Sequence, residues 1–249
     1  MSAFWVSLER DVVTITGADA KKYLHSQLSQ NVETMGPGEV RASFVLQPTG
    51  KIESLLRVTC AAADRFVLDT EVGFGEALVT RLKRFKIRVN AEIELQQQTW
   101  RAIRQLDGAA IDGSIAAWRA DGTAVDVFAP GLAIPATIAE GTQEQFEAAR
   151  VAAMWPIMGA DITTDMIPAE SGIVELAVSF TKGCYPGQEL VERMDSRGSK
   201  APRMLQRASC ALGTTSGMPV LVDDVTVGTY TTVAGSQAIA LVKRGVTLP

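Results

Sequence analysis

The chain has one histidine, His25, among 249 residues. A Ser-His-Asp or Cys-His device needs an imidazole as its base. His25 falls in an expected helix beside Tyr23 and Leu24, where a packed or surface imidazole is the simpler role. Cysteine is almost as scarce: Cys60, Cys184 and Cys210 are odd in number and far apart. They read against a disulfide framework and for a reducing compartment. There is no Cys-x-x-Cys pair, and three scattered thiols cannot supply the four thiolates of a resident cluster. No metal site is expected.

Positive charge is not in excess either. The 24 Lys and Arg against 28 Asp and Glu leave a formal charge of −4, which gives no electrostatic reason to expect nucleic acid as a partner. No run is long and apolar enough to cross a bilayer. The first residues, Met1 to Arg10, lack the basic start and apolar stretch of a secretory signal. These absences predict a soluble, cytoplasmic chain without nucleic acid or membrane as partners. At 47% hydrophobic and 21% charged, the composition suits a globular chain able to bury a substantial core.

Along the chain, strand and helix patterns alternate in an α+β manner. Val12 to Ile15 is strand-like, and Gly17-Ala18-Asp19 opens a helix with Ala20, Leu24, Gln27 and Leu28 on one face. Strand-like runs follow at Glu39 to Leu46, Lys51 to Cys60 and Arg65 to Asp69, joined by short turns that imply antiparallel hairpins. A helix near Gly73 to Phe85 carries Phe74, Leu78, Leu82 and Phe85 as an apolar stripe. Further strands are expected at Ala91 to Leu95, Trp100 to Gln105, Ile115 to Arg119 and Val125 to Phe128. Thr142-Gln143-Glu144-Gln145 is a capping box that starts a helix running to about Met154. Trp155 to Thr181 reads as a long ordered loop, a feature usually tied to function. After about Ala201 the pattern becomes short strands with turns at Asp223-Asp224 and Gly235-Ser236. The basic run Arg81 to Arg88 reads as the solvated face of a helix and its exit, with an anion-attracting surface as the alternative.

The most specific stretch is Lys182-Gly183-Cys184-Tyr185-Pro186-Gly187-Gln188-Glu189. Tyr-Pro-Gly-Gln predicts a type II turn, with proline at its second position and glycine at its third. Gln188 to Met194 then reads as two turns of helix. Its free N–H groups, together with Lys182, would favour the thiolate of Cys184. Cys184 therefore reads as a reactive group, with plain packing as the alternative.

This octapeptide, with Arg193, Arg197-Gly198 and Arg203 after it, resembles the signature of the YgfZ-like folate-binding proteins, which reads Lys-Gly-Cys-aromatic-x-Gly-Gln-Glu. That family is related to the aminomethyltransferase (T-protein) of glycine cleavage and is associated with maturation and repair of iron–sulfur proteins. Ile15-Thr16-Gly17-Ala18-Asp19, Tyr23-Leu24 and Gln27 to Val32 resemble its first strand and helix. Gly50-Lys51-Ile52 with Leu55-Leu56-Arg57 resembles its central hairpin. The resemblance implies an aminomethyltransferase-like α+β fold of antiparallel sheets and packed helices. It divides the chain into a folate-binding region over 1–200 and a short all-β, barrel-like piece over 201–249.

It also implies tetrahydrofolate, or a one-carbon derivative of it, as cofactor and iron–sulfur client proteins as partners. Ile167-Pro168-Ala169-Glu170 matches a motif whose glutamate grips the pterin, since two carboxylate oxygens suit paired N–H donors. Phe146 and Trp155 are candidate stacking walls. Tyr185 and Gln188 would belong to the folate site, with Lys182 and Cys184 at its mouth. Arg193 and Arg197 would neutralise folate carboxylates or hold the loop. One departure stands out. The transferases place an aspartate just after the central glycine turn, where this chain has Glu53, and their signature lacks the cysteine. Both differences favour the YgfZ-like branch over a folate-dependent aminomethyltransferase or demethylase. A folate-binding scaffold with a structural cysteine is the third reading.

Overall fold

Thirteen-residue strands at the two ends of the first hundred residues organise the larger sheet. The computed structural model describes residues 2–108, 110–119, 122–128, 134–196, 198 and 201–248. Its strands are β1 (Phe4–Thr16), β2 (Val40–Leu46), β3 (Ile52–Ala62), β4 (Arg65–Thr70), β5 (Glu92–Arg104), β6 (Ser114–Ala116) and β7 (Ala124–Val127). They lie in the order β2-β3-β4-β1-β5-β7-β6, and a short β8 (Ala139–Glu140) runs parallel to β1. Every other pairing is antiparallel, as the consecutive hairpins predict.

Sequence patterning suggests two strands where β5 is one. The polar run Gln96-Gln97-Gln98-Thr99 breaks the apolar signal, yet its backbone pairs with Val12, Asp11, Arg10 and Glu9 of β1. Its side chains face outward or lie half-buried, so the ladder continues where hydropathy does not.

Two helices cover one face of the sheet. Helix α1 (Ala20–Gln27) buries Ala20, Tyr23, Leu24 and Gln27, the spacing of one helical face. Helix α2 (Gly75–Phe85) buries Leu78, Val79 and Leu82. Their side chains join Val13, Ile15, Leu56, Val58, Phe66 and Leu68 in one core. Both halves of the predicted capping box begin helix α3 (Gln143–Ala152): Gln145 N–H donates to Thr142 Oγ1 at 3.2 Å, and Thr142 N–H donates to Gln145 Oε1 at 2.8 Å.

The stretch after α3 is less loop-like than its composition suggests. It contains a 3-10 turn at Pro168–Glu170 and helix α4 (Val174–Ala177). Trp155, Met158, Ile162, Met166, Ile173 and Val178 are buried in a second core with Phe44, Leu46, Ile52 and Leu55. Helix α5 (Gln188–Ser196) follows the octapeptide. A second antiparallel sheet holds β9 (Arg203–Ser209), β10 (Pro219–Val222), β11 (Val225–Ala234) and β12 (Gln237–Lys243), in the order β10-β11-β12-β9. Its hairpin turns fall at Asp223-Asp224, both with positive φ, and at Gly235-Ser236. Leu205 and Ile239 carry this sheet into the second core. Asp161 ties it down: Oδ1 accepts from the Thr231 and Thr232 hydroxyls at 2.6 and 2.7 Å, and Oδ2 accepts from Arg150 Nη1 at 2.7 Å.

Candidate functional site

The octapeptide is held from several sides, with Gly183, Cys184 and Glu189 left exposed. Lys182 Nζ donates to the carbonyl of Leu28 at 2.6 Å and to that of His25. These carbonyls close the C-terminal end of α1, where a cation is favoured by the helix dipole. The ammonium also lies 4.9 Å from the centre of the Tyr185 ring. Burial pushes the Lys182 pKa down to about 8. Tyr185 is buried, and its N–H donates to Gln188 Oε1 at 2.8 Å. Gln188, which the resemblance assigns to the folate site, thus closes its own turn.

Two glycines make that turn possible. Gly187 has φ +82°, as a type II turn requires, and a Cβ there would lie 2.4 Å from the Gln47 carbonyl oxygen. Gly50 has φ +83°, and a Cβ there would lie 2.6 Å from Leu190 Cβ. The β2–β3 hairpin tip and the start of α5 therefore pack backbone against backbone. Cys184 sits between these anchors and is exposed, whereas Cys60 is buried. His25 approaches this loop as well: a Cβ on Gly183 would lie 3.9 Å from its Nε2. Its ring is tied to Glu33, whose N–H donates to Nδ1 at 3.3 Å and whose carboxylate lies 3.8 Å from Nε2. Burial and the Lys182 charge lower its pKa, against the opposing pull of Glu33.

Glu170 is buried and engaged at both oxygens. Oε2 accepts from the Ile167 N–H at 2.9 Å, and Oε1 accepts from Arg203 Nε at 2.7 Å. It clasps the 3-10 turn to β9. Ile167, Pro168 and Ala169 line a cleft of about 370 Å³ with Leu190, Val191 and Met194 of α5, and its lining is mainly apolar. Arg193 is exposed on α5, and Arg197 lies outside the described residues.

Phe146 and Trp155 line a different cavity, of about 220 Å³, between β1, β3 and α3. Its floor is charged. Asp126 accepts from Arg57 at 2.6 Å and Arg104 at 2.8 Å, and Arg10 pairs with Glu71 at 2.6 Å. Asp69, fully buried, takes both Arg10 and Arg57. Burial alone would raise the Asp126 pKa, but Arg104 and Arg57 hold it below the usual carboxylate value. Neither Lys182 nor Cys184 lines either cleft. The cleft beside Glu170 and the cavity at Phe146 and Trp155 have no lining residue in common. The cavity arginines escaped notice because an arginine inside an apolar strand shows no partner until the strands are paired.

Glu53 lies 3.0 Å from Arg81 Nε as an ion pair. Arg81 is itself buried, while Lys83 and Arg84 are exposed, so the basic run is divided between interior and solvent. Among the described residues no group of three or more His, Cys, Asp or Glu could hold a metal, and no helix is long and apolar enough to cross a membrane.

No protein-family model matches the chain. It is similar to a protein named tRNA-modifying protein YgfZ from Photorhabdus laumondii, 27% identical over 243 residues, covering 86% of this chain and 72% of that protein. It is also similar to a mitochondrial iron–sulfur cluster assembly factor IBA57 homologue from Pyricularia oryzae, 23% identical over 234 residues, covering 82% of this chain and 57% of that protein. The solved glycine cleavage system aminomethyltransferase T of Bartonella henselae superposes with a TM-score of 0.77 at 14% identity, over 96% of this chain and 78% of that one. The chain is YgfZ-like. Its fold is that of the aminomethyltransferases, as the octapeptide implied. This YgfZ-like chain is shorter than those two relatives, so what their names describe belongs first to them.

Proposed function

We propose that this YgfZ-like chain is a tetrahydrofolate-binding protein that assists synthesis or repair of iron–sulfur clusters in client enzymes, with Cys184 as its functional thiol. The observation that carries the thiol half is the exposure of Cys184 on a loop fixed by Lys182, Gln188 and Gly187. A packing cysteine is buried, as Cys60 is. A thiol displayed by a rigid frame is arranged to meet another molecule. The relatives' names, one for tRNA modification and one for cluster assembly, agree if a client enzyme both carries a cluster and modifies tRNA. This chain then need not bind RNA, in keeping with its net charge of −4.

For the folate, the 220 Å³ cavity is the better host. A reduced pterin is flat and has several hydrogen-bonding edges, which an apolar cleft would leave unpaired. The cavity offers the rings of Phe146, Trp118 and Trp155 beside charged donors and acceptors. Glu170, Tyr185 and Gln188 support the fold around the thiol loop and the 3-10 turn in this reading. When bound, the folate supplies a one-carbon carrier; the chain's own residues hold and orient its head. The aminomethyltransferase alternative is weakened by Glu53, a longer carboxylate already paired with Arg81. Calorimetric titration with tetrahydrofolate tests the reading. One-to-one binding is expected, and no detectable heat or competition at saturating ligand removes the folate half.

A further inference from the structure

The apolar cleft of about 370 Å³ has no part in the folate reading, yet it opens beside the thiol loop. Phe180, four residues before Cys184, and Leu190, six after it, both line it. Four residues of chain span at most about 14 Å, so the thiol residue stands within that reach of the Phe180 backbone. The cleft adjoins a second one, of about 640 Å³, with which it shares Ala169 and Met204. Gln206 of β9 and Val242 of β12 line this second cleft, with Val246 from the chain that follows.

The charges of the two clefts are sorted. The charged side chains lining the first are Glu175 and Asp195, both exposed. Those lining the second are Lys243 and Arg244, also exposed. Glu175 lies 3.6 Å from Arg119, a surface pair of little strength. Lys243 Nζ donates to the uncharged Thr226 carbonyl at 3.0 Å. Met204, where the clefts meet, is 44% exposed, and Phe180 in the first is 42% exposed. Exposed apolar side chains between poles of opposite sign suit a contact that is both apolar and charge-matched.

Resting on the reading of Cys184 as a functional thiol, we propose that the paired clefts dock an extended segment of a client protein. A basic residue of the segment meets Glu175 and Asp195, an apolar side chain covers Met204, and an acidic residue meets Lys243 and Arg244. The basic end then lies on the side of Phe180 and the thiol loop. A partner of single sign, nucleic acid included, matches one pole and is repelled by the other.

The test measures fluorescence anisotropy of labelled peptides of about ten residues, which extend to roughly 33 Å. All share a central Leu-Phe pair. One has arginines at one end and glutamates at the other, one has arginines at both ends, and one has glutamates at both. At low salt the wild type is expected to bind the mixed peptide roughly 5- to 30-fold more tightly than either single-signed one, the range of two exposed charge pairs. Glu175→Lys combined with Asp195→Lys should make the all-glutamate peptide the tightest and lower client activity in cells. Cys184→Ser should leave the peptide affinities unchanged.

Equal affinities in the wild type, no binding of any peptide, or a ranking that survives the double reversal overturn the proposal. Full client activity in cells carrying the double reversal overturns it as well. The thiol reading is judged separately, by client activity with Cys184→Ser. A wild type that sediments as a dimer, and a double reversal that sediments as a monomer, make a second copy of this chain the occupant and overturn the client assignment. Should the double reversal not fold, the wild-type ranking alone decides.

Discussion

Lys182 donates to the carbonyl of Leu28 at 2.6 Å, so the residue two places before the exposed thiol closes a helix 154 positions earlier in the chain. Protonation of this group is therefore linked to folding. Burial lowers the Lys182 pKa from 10.5 to about 8, so between those values the unfolded chain binds more protons than the folded one. Stability from this group is fully present above pH 10.5 and is lost as pH falls through 8. Urea unfolding of wild type and Lys182→Met across that window should show the difference moving in favour of wild type as pH rises. A difference that stays flat contradicts the assignment.

The packed turns predict a cost for the smallest side chain. Gly187→Ala combines φ +82° with a 2.4 Å approach to the Gln47 carbonyl oxygen, and Gly50→Ala meets Leu190. Each should destabilise by about 1–3 kcal/mol. The double variant should cost less than the sum, because both substitutions press on one contact. Denaturant midpoints at constant m-value measure this, and strict additivity counts against the shared contact.

Asp126 holds two buried arginines at once. Asp126→Asn leaves Arg57 and Arg104 undercompensated, a loss of roughly 3–5 kcal/mol by the usual cost of breaking a buried pair. Because Arg104 and Arg57 lower its pKa in the fold, the stability it contributes is present above the unfolded carboxylate value and is lost as pH falls through the folded one. Acid unfolding of the variant should therefore be less steep than that of wild type in the same pH range.

Glu170→Gln separates the clasp from the cavity. Arg203 Nε and the Ile167 amide lose a charged acceptor, so the melting temperature should fall. Tetrahydrofolate affinity, measured on folded protein, should change less than threefold, a figure of about 0.6 kcal/mol. A tenfold loss of affinity with unchanged melting would return the pterin to Glu170.

The sequence reading succeeds where local chemistry is self-contained. Thr142 and Gln145 satisfy each other within one turn, and Asp223-Asp224 bends its hairpin unaided. It succeeds for the family because eight contiguous residues carry a recognisable pattern. It falls short where meaning depends on distant partners. Gln96 to Thr99 joins a strand only because β1 runs beside it. Nothing beside Glu170 in the sequence signals that Arg203, 33 residues on, takes one of its oxygens. The cavity is assembled from β1, β3, β5, β7 and α3, so its lining residues meet only once the chain has folded.

The central claim is that the fixed loop exists to present Cys184. The most direct measurement is the activity of iron–sulfur client enzymes in cells whose only copy of this chain carries Cys184→Ser. The variant should melt as wild type does, since the thiol is exposed, while client activity falls as far as it does when the chain is absent. Full client activity with Cys184→Ser would contradict the account.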